Sequence, residues 1–191
     1  MHRKQLIIAC YTAGVYAKEA EEKLLKSVRE LGLPHDVREI SCQGTWVANG
    51  FACQEFILSM EREMPGVDFL FLDVDAMVRS NPWPYLEKLD CDLAGHYFKD
   101  TELLTGTLYL PATTRRIQLL TEWIQQNHEH PNIWDQKNLQ RLLGERDFRM
   151  HRLPPEYCFI FDLQKKLTPK VVPVIEHFQA SRRLKKGVGH E

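Results

Sequence analysis

Val67-Asp68-Phe69-Leu70-Phe71-Leu72-Asp73-Val74-Asp75 is the stretch on which the fold turns. Phe69 to Leu72 is an unbroken apolar run, with Pro65-Gly66 before it and Asp73 after it. A short run bounded in this way reads as a strand buried on both faces. In an open α/β sheet, ligands bind beyond the carboxyl ends of the strands. Asp73 and Asp75 occupy such an end. Side chains alternate along a strand, so residues two apart face the same way. Two carboxylates so placed can converge on one hard divalent cation through oxygen ligands, and a cation held there can neutralise a diphosphate. D-x-D is a short motif, and 26 acidic residues in 191 produce it by chance. Its weight comes from the strand in front of it and from the rest of the chain.

Upstream, Gln5 to Tyr11 reads as a first strand, followed by a loop with Thr12, Ala13 and Gly14. Ala17, Ala20, Leu24, Val28 and Leu31 fall at helical spacing, and Gly32 is a stop signal. Val37 to Ile40 is a second strand. The loop Cys42 to Asn49 follows, and Trp46 in it reads as a cap on the core, with stacking on a ligand as the alternative. A helix from about Phe51 to Met64 then leads into the strand of the two aspartates. This alternation predicts an α/β fold, a three-layer sandwich whose mostly parallel central sheet is flanked by helices.

Downstream, Leu93 to Phe98 and Leu104 to Leu110 are further strands. Thr105-Gly106-Thr107 opens the second of these. It is either a bulge or a place where a sugar can approach the backbone closely. Thr113 or Thr114 can cap a helix running to about Asn127, with Ile117, Leu120, Trp123 and Ile124 facing inward. His128-Glu129-His130 lies in a polar loop and reads as solvent-exposed. Asp135 opens the next helix, to Leu143, where a role as a helix-end carboxylate suffices for it. Arg149 to Leu153, Cys158 to Phe161 and Val171 to Ile175 are short extended segments. The basic cluster from Arg182 to Lys186 reads as a solvated tail.

A length of 191 residues predicts one domain, 1–191, with room for a sizeable core. A net charge of −1 excludes a global basic field for nucleic acid or anionic lipid. Five scattered cysteines with no C-x-x-C pair predict reduced thiols and a cytoplasmic protein. The apolar run Leu6 to Cys10 is too short for a signal-peptide core or a membrane span.

These pieces together resemble a GT-A-type glycosyltransferase. More narrowly, they are similar to the small nucleotide-diphospho-sugar transferase-like proteins of phages and bacteria, related to the family 8 glycosyltransferases. The resemblance rests on Gly44-Thr45-Trp46 with Asn49, Phe71 to Ala76, Thr105-Gly106-Thr107-Leu108-Tyr109, Trp123-Ile124, Asp135-Gln136 with Leu139, Leu153-Pro154 with Tyr157-Cys158, and Ile175-Glu176-His177 through Ser181-Arg182.

The resemblance implies a metal-dependent hexosyltransferase-like enzyme. It would move a sugar from a nucleoside diphosphate donor, UDP by family habit, with retention if the family 8 likeness is close. Asp73 and Asp75 match the metal- and diphosphate-binding motif, and His177 matches the late histidine that completes the site for Mn2+ or Mg2+. Tyr11 and Thr12 match the nucleotide pocket. Ser181, Arg182 and Lys185 match residues placed on the phosphates. Thr105, Gly106, Asp135 and Gln136 match segments lining donor sugar and acceptor, with Asp135 and Gln136 nearest the chemistry. The second helix departs from the pattern: where relatives often carry Lys, this chain has Phe51-Ala52-Cys53-Gln54. The acceptor stays open among a glycan, a protein, a small molecule and a hydroxylated DNA base. A sugar-phosphate nucleotidyltransferase is the alternative, disfavoured because Tyr11 to Tyr16 holds one Gly and no Lys or Arg. A non-catalytic sugar-nucleotide-binding module is the other.

Overall fold

The computed structural model describes residues 3–13, 15–164 and 168–180. In chain order the first part holds β1 (Lys4–Thr12), α1 (Val15–Glu19), a π-helical segment (Ala20–Leu25), α2 (Lys26–Glu30), β2 (His35–Ile40), α3 (Trp46–Glu63) and β3 (Val67–Leu72). There follow β4 (Ala76–Val78), α4 (Trp83–Leu86), β5 (Leu93–Phe98), β6 (Glu102–Leu110), α5 (Arg116–Glu129) and α6 (Asp135–Glu145). The last elements are β7 (Met150–Arg152), a short 3-10 turn (Pro155–Tyr157), β8 (Phe159–Ile160) and β9 (Ile175–His177).

Six strands form the main sheet in the order β2-β1-β3-β6-β5-β7. β6 runs antiparallel to both its neighbours, and the other pairings are parallel. The mostly parallel sheet expected from the sequence is therefore present. The apolar run of β3 is continuous because both of its faces are covered. Phe69 and Phe71 pack with Ile8 against buried residues of α3, α5 and α6. Leu70 and Leu72 pack with Ile7 and Ala9 against Ala20, Leu24 and Val28 on the other face. A second, three-stranded sheet in the order β4-β9-β8 joins this latter layer, through Ala76, Val78 and Ile175.

The chain leaves β1 to one side for β2 and then crosses to the other side for β3. The carboxyl ends of β1 and β3 therefore flank a topological switch point, the place where open α/β sheets form a crevice.

Four local expectations need correcting. α3 starts at Trp46 and not at Phe51, because Thr45 caps it: the Thr45 hydroxyl accepts from the Ala48 N–H at 3.1 Å. Trp46 does not cap the core, since it is 43% exposed. α5 starts at Arg116 with no threonine side-chain cap, and Ile117 is exposed. Its inner face is instead Arg116, Leu119, Leu120, Trp123 and Asn127. The last strand is Ile175–His177 and not Val171 to Ile175. His128 is exposed as expected, although it and Glu129 belong to the last turn of α5 and His130 is half-buried beside Arg141. All five cysteines are free thiols. No helix among the described residues is long and apolar enough to cross a membrane.

Candidate functional site

β3 ends at Leu72, and the chain turns immediately. The Asp73 N–H donates to the Gly106 carbonyl at 2.9 Å, and the Ala76 N–H donates back to the Asp73 carbonyl at 2.9 Å. That turn leads into β4, which pairs antiparallel with β9 and sets Ala76 opposite His177. The pairing explains how residues about a hundred positions apart meet. Just beyond β9, Gln179 adopts a left-handed conformation, φ 52°. On either side of it the Phe178 N–H donates to the Asp75 carbonyl at 3.3 Å, and the Ala180 N–H donates to Asp75 Oδ2 at 2.6 Å. Asp75 is thus held in place from the backbone.

His177 is buried, with Nε2 2.7 Å from the Thr107 hydroxyl and Nδ1 3.6 Å from Asp75 Oδ1. Nδ1 is the nitrogen turned toward the carboxylates. Asp73, Asp75 and His177 each offer a ligand atom within 4.8 Å of the others. The space between them depends on Gly106. A Cβ there would lie 2.9 Å from Asp73 Oδ2 and 3.1 Å from His177 Cε1. Two carboxylate oxygens and an imidazole nitrogen suit a borderline divalent cation such as Mn2+. The residues present therefore fit the cation that the sequence resemblance implies.

The electrostatics point the same way. Crowding out of water pushes the Asp73 carboxyl up to about 7, and the Asp75 charge adds to the rise while His177 opposes it. The side chain still touches solvent at the mouth of the cleft, so the neighbouring charge is the part that persists. Burial works to lower the His177 pKa, but Cys158 and Asp75 outweigh it and hold the imidazole well above the usual histidine range. Tyr16, on α1, has its phenol pushed up by burial and by the charges of Asp75 and Asp73.

α3 and α6 bring a third carboxylate near the cluster. Asp135 is the first residue of α6. Gln54 Nε2 donates to its Oδ2 at 3.2 Å, and the Trp123 indole N–H donates to its carbonyl at 2.9 Å. A Cβ on Gly50 would lie 3.2 Å from Asp135 Oδ1, so that glycine lets α3 approach. Gln54 is oriented in turn by Asn127, whose Nδ2 donates to the Gln54 Oε1 at 3.1 Å, and Asn127 by Asn138, whose Nδ2 donates to the Asn127 Oδ1 at 3.0 Å. Burial raises the Asp135 pKa against hydrogen bonds from the Gln136 backbone and Gln54. The Asp135 charge is felt at Asp73, so the two carboxylates lie near each other.

Of the residues singled out from sequence, Asp73, Asp75 and His177 meet in one cluster. Thr105 and Gly106 lie beside Asp73, and Tyr11 and Thr12 end β1 at the same sheet edge. Asp135 lies near Asp73, whereas the Gln136 amide donates to Glu102 at 3.0 Å. Ser181, Arg182 and Lys185 lie outside the described residues, as does the rest of the basic tail. Sequence reasoning passed over Tyr16, Gly50 and Gln54 as site residues, and it read Thr107 as part of a sugar-contacting motif and not as the partner of His177. Gln54 carried a signal: with Glu61 it is one of two polar residues among the buried positions of α3.

Residues 63–188 match the family model of the nucleotide-diphospho-sugar transferases. No curated protein matches the chain by sequence. Among solved structures, a glycosyltransferase involved in glycosylation of the major capsid of PBCV-1 superposes with a TM-score of 0.74 at 16% identity, covering 97% of this chain and 100% of that one. The galactosyltransferase LgtC, in complex with donor and acceptor sugar analogues, superposes at 0.57 with 14% identity, over 97% of each chain. The glycosyltransferase GlyE of Streptococcus pneumoniae TIGR4 superposes at 0.58 with 16% identity, over 93% of this chain and 55% of that one.

Proposed function

The chain belongs to the nucleotide-diphospho-sugar transferase family, and from that we propose a metal-dependent transferase that takes a sugar from UDP and delivers it to a hydroxyl acceptor. The observation that carries the metal dependence is the convergence of Asp73, Asp75 and His177 at the switch-point cleft. The same cation-binding chemistry would be met by Mn2+ or Mg2+, and the imidazole favours Mn2+. When bound, the cation supplies positive charge for the departing diphosphate.

The rest of the work falls to the chain's own residues. Tyr11 and Thr12 line the nucleotide side of the cleft at the end of β1. Gly106 leaves bare backbone where the diphosphate and sugar must approach, and Thr105 offers a hydroxyl beside it. Asp135 stands near Asp73, rigidly held by Gln54, where it can orient an acceptor hydroxyl or face the positive charge that develops on the sugar. Gln136 flanks Asp135 and binds the acceptor side. Ser181, Arg182 and Lys185 follow His177 closely enough in sequence to reach the phosphates, Arg as a fork and Lys as a point charge. Five free thiols agree with work in the cytoplasm.

The test is UDP titration followed by thermal unfolding, with and without manganese. UDP at about a hundred times its dissociation constant should stabilise the protein by about 2.7 kcal/mol. The effect should require manganese and disappear in Asp73→Asn. Stabilisation that is indifferent to manganese would sink the metal-dependent reading.

A further inference from the structure

Two tryptophans stand near Asp135. Trp46 is the first residue of α3, and Trp134 immediately precedes Asp135 at the start of α6. They are 43% and 44% exposed, well beyond what buried indoles show. Their ring centroids are 5.1 Å apart with planes at 77°, so they form a corner and not a stack. Ile133, also exposed, adds apolar surface beside them.

The position of this corner is fixed by the same contacts that fix Asp135. Trp46, Gly50 and Gln54 recur at every fourth residue, so they share one face of α3. Gly50 and Gln54 both meet Asp135. Trp46 continues that face outward by one helical turn, about 6 Å. The corner therefore extends the α3 face that meets Asp135. Neither ring fills the core, and the backbone that carries them is well held by the Thr45 cap and by the Trp123 bond to the Asp135 carbonyl. Rigid aromatic surface beside a carboxylate matches a pyranose: C–H groups lie against an indole face while hydroxyls reach the polar group. Lys137, whose ammonium is 5.8 Å from the Trp134 ring centre, stands beside the corner to serve the sugar ring's hydroxyls.

We propose that the Trp46–Trp134 corner is the acceptor subsite, and that the acceptor presents a pyranose ring to it, with the reacting hydroxyl directed toward Asp135. This rests on the transferase reading above and narrows its acceptor to a carbohydrate.

The test is saturation-transfer NMR on the full chain with methyl α- and β-pyranosides of glucose, galactose and mannose. UDP is titrated in parallel into the parent protein with manganese. At least one pyranoside should receive saturation, strongest at the C–H protons of one ring face. Trp46→Ala and Trp134→Ala should each weaken its binding about tenfold, the scale of one lost aromatic contact, while Trp46→Phe and Trp134→Phe keep most of it. Circular dichroism of the alanine variants should match the parent, and UDP binding should persist in both, because neither ring belongs to the buried core. UDP binding with no pyranoside contact, or pyranoside contact unchanged in both alanine variants, would overturn the subsite. Pyranoside contact that depends on both tryptophans, in a protein that ignores UDP, would uphold the corner as a saccharide site and break the donor reading alone.

Discussion

β3 carries an aspartate near each end, and the two ends treat their charges in opposite ways. At the amino end, Asp68 is buried and supplied with donors: Ala112 N–H at 2.7 Å, Tyr109 hydroxyl at 3.2 Å and Arg3 at 3.4 Å. Next to it Arg116, wholly buried, donates to the Val67 and Leu110 carbonyls at 2.7 and 2.8 Å and pairs with Glu61. At the carboxyl end, Asp73 and Asp75 press like charges together, with the His177 imidazole beside them. The first arrangement spends its charges on holding the sheet to its helices. The second concentrates negative charge where a ligand can enter. Burial alone does not mark a functional carboxylate; what sets this end apart is like charge gathered beside an imidazole at the end of a strand.

The contrast can be broken most forcefully at the amino end. Arg116→Met should destabilise the protein by about 3–5 kcal/mol, because Glu61 is left buried without its partner. Urea unfolding would measure it, and manganese affinity of the folded fraction should not change. Loss of manganese affinity without loss of stability would reverse the assignment of the two ends.

At the carboxyl end the effects should be on binding. Asp73→Asn and Asp75→Asn should each lower manganese affinity by about a hundredfold or more, beyond the 10–100-fold typical of losing an outer partner of a ligand. Unfolding free energy should stay within about 1 kcal/mol of the parent, since relieving like-charge crowding offsets lost hydrogen bonding. His177→Ala should act in the same direction, whereas His128→Ala and His130→Ala should not. Calorimetric titration with manganese would show it.

Gly106→Ala sharpens the comparison on a smaller scale. Its methyl would intrude at 2.9 Å from Asp73 Oδ2, in the space between Asp73 and His177. Manganese affinity should drop about tenfold, or roughly 1.4 kcal/mol, with the sheet intact by circular dichroism. Gly66→Ala, at the amino end of β3, should leave manganese affinity alone.

The smallest effect is in pH. Burial and the Asp75 charge raise the Asp73 carboxyl above its ordinary value of 3.8 in the folded protein, and the exposure of the side chain tempers the part due to burial. Above 3.8 the folded state holds the extra proton, so stability of the metal-free protein should decline as pH rises from about 4 through the folded pKa. His177, raised above 6.5, extends the decline upward: its contribution is full below 6.5 and is lost as pH climbs through its folded pKa. Asp73→Asn should flatten the lower part of the slope and leave the upper part. Thermal melts across this range would show whether the lower slope belongs to Asp73.

The strand and its two aspartates were legible because a doubly buried strand must be apolar without a break. The main sheet followed from the alternation of elements around it. The start of α3 was misread because Gly44, Thr45, Asn49 and Gly50 are loop residues by composition. Here Thr45 is a cap, and Gly50 makes room for Asp135. The exposure of Trp46 could not be inferred, since a large apolar ring is usually buried and only its neighbours across space decide otherwise. The small sheet was illegible for a different reason: three-residue strands joining Ala76 to His177 carry too little pattern to reveal their pairing. His177 was singled out through family resemblance, and the pairing supplies the physical cause of its position.

One irregularity in β6 bears on how this pocket can change. Along β5 the register slips between Gly95, opposite Leu108, and His96, opposite Leu104. Thr105, Gly106 and Thr107 therefore have no partner on β5, and the strand carries slack at the place where it passes under Asp73 and His177. Slack of this kind separates two demands that a regular ladder would tie together. The residues before it and after it keep the sheet in register, while the three within it are free of β5. A residue gained or lost there would reshape the floor of the cleft without turning the remainder of β6 inside out. Of the three, Gly106 and Thr107 are tied to Asp73, β3 and His177, so Thr105 is the position where change would leave the scaffold undisturbed.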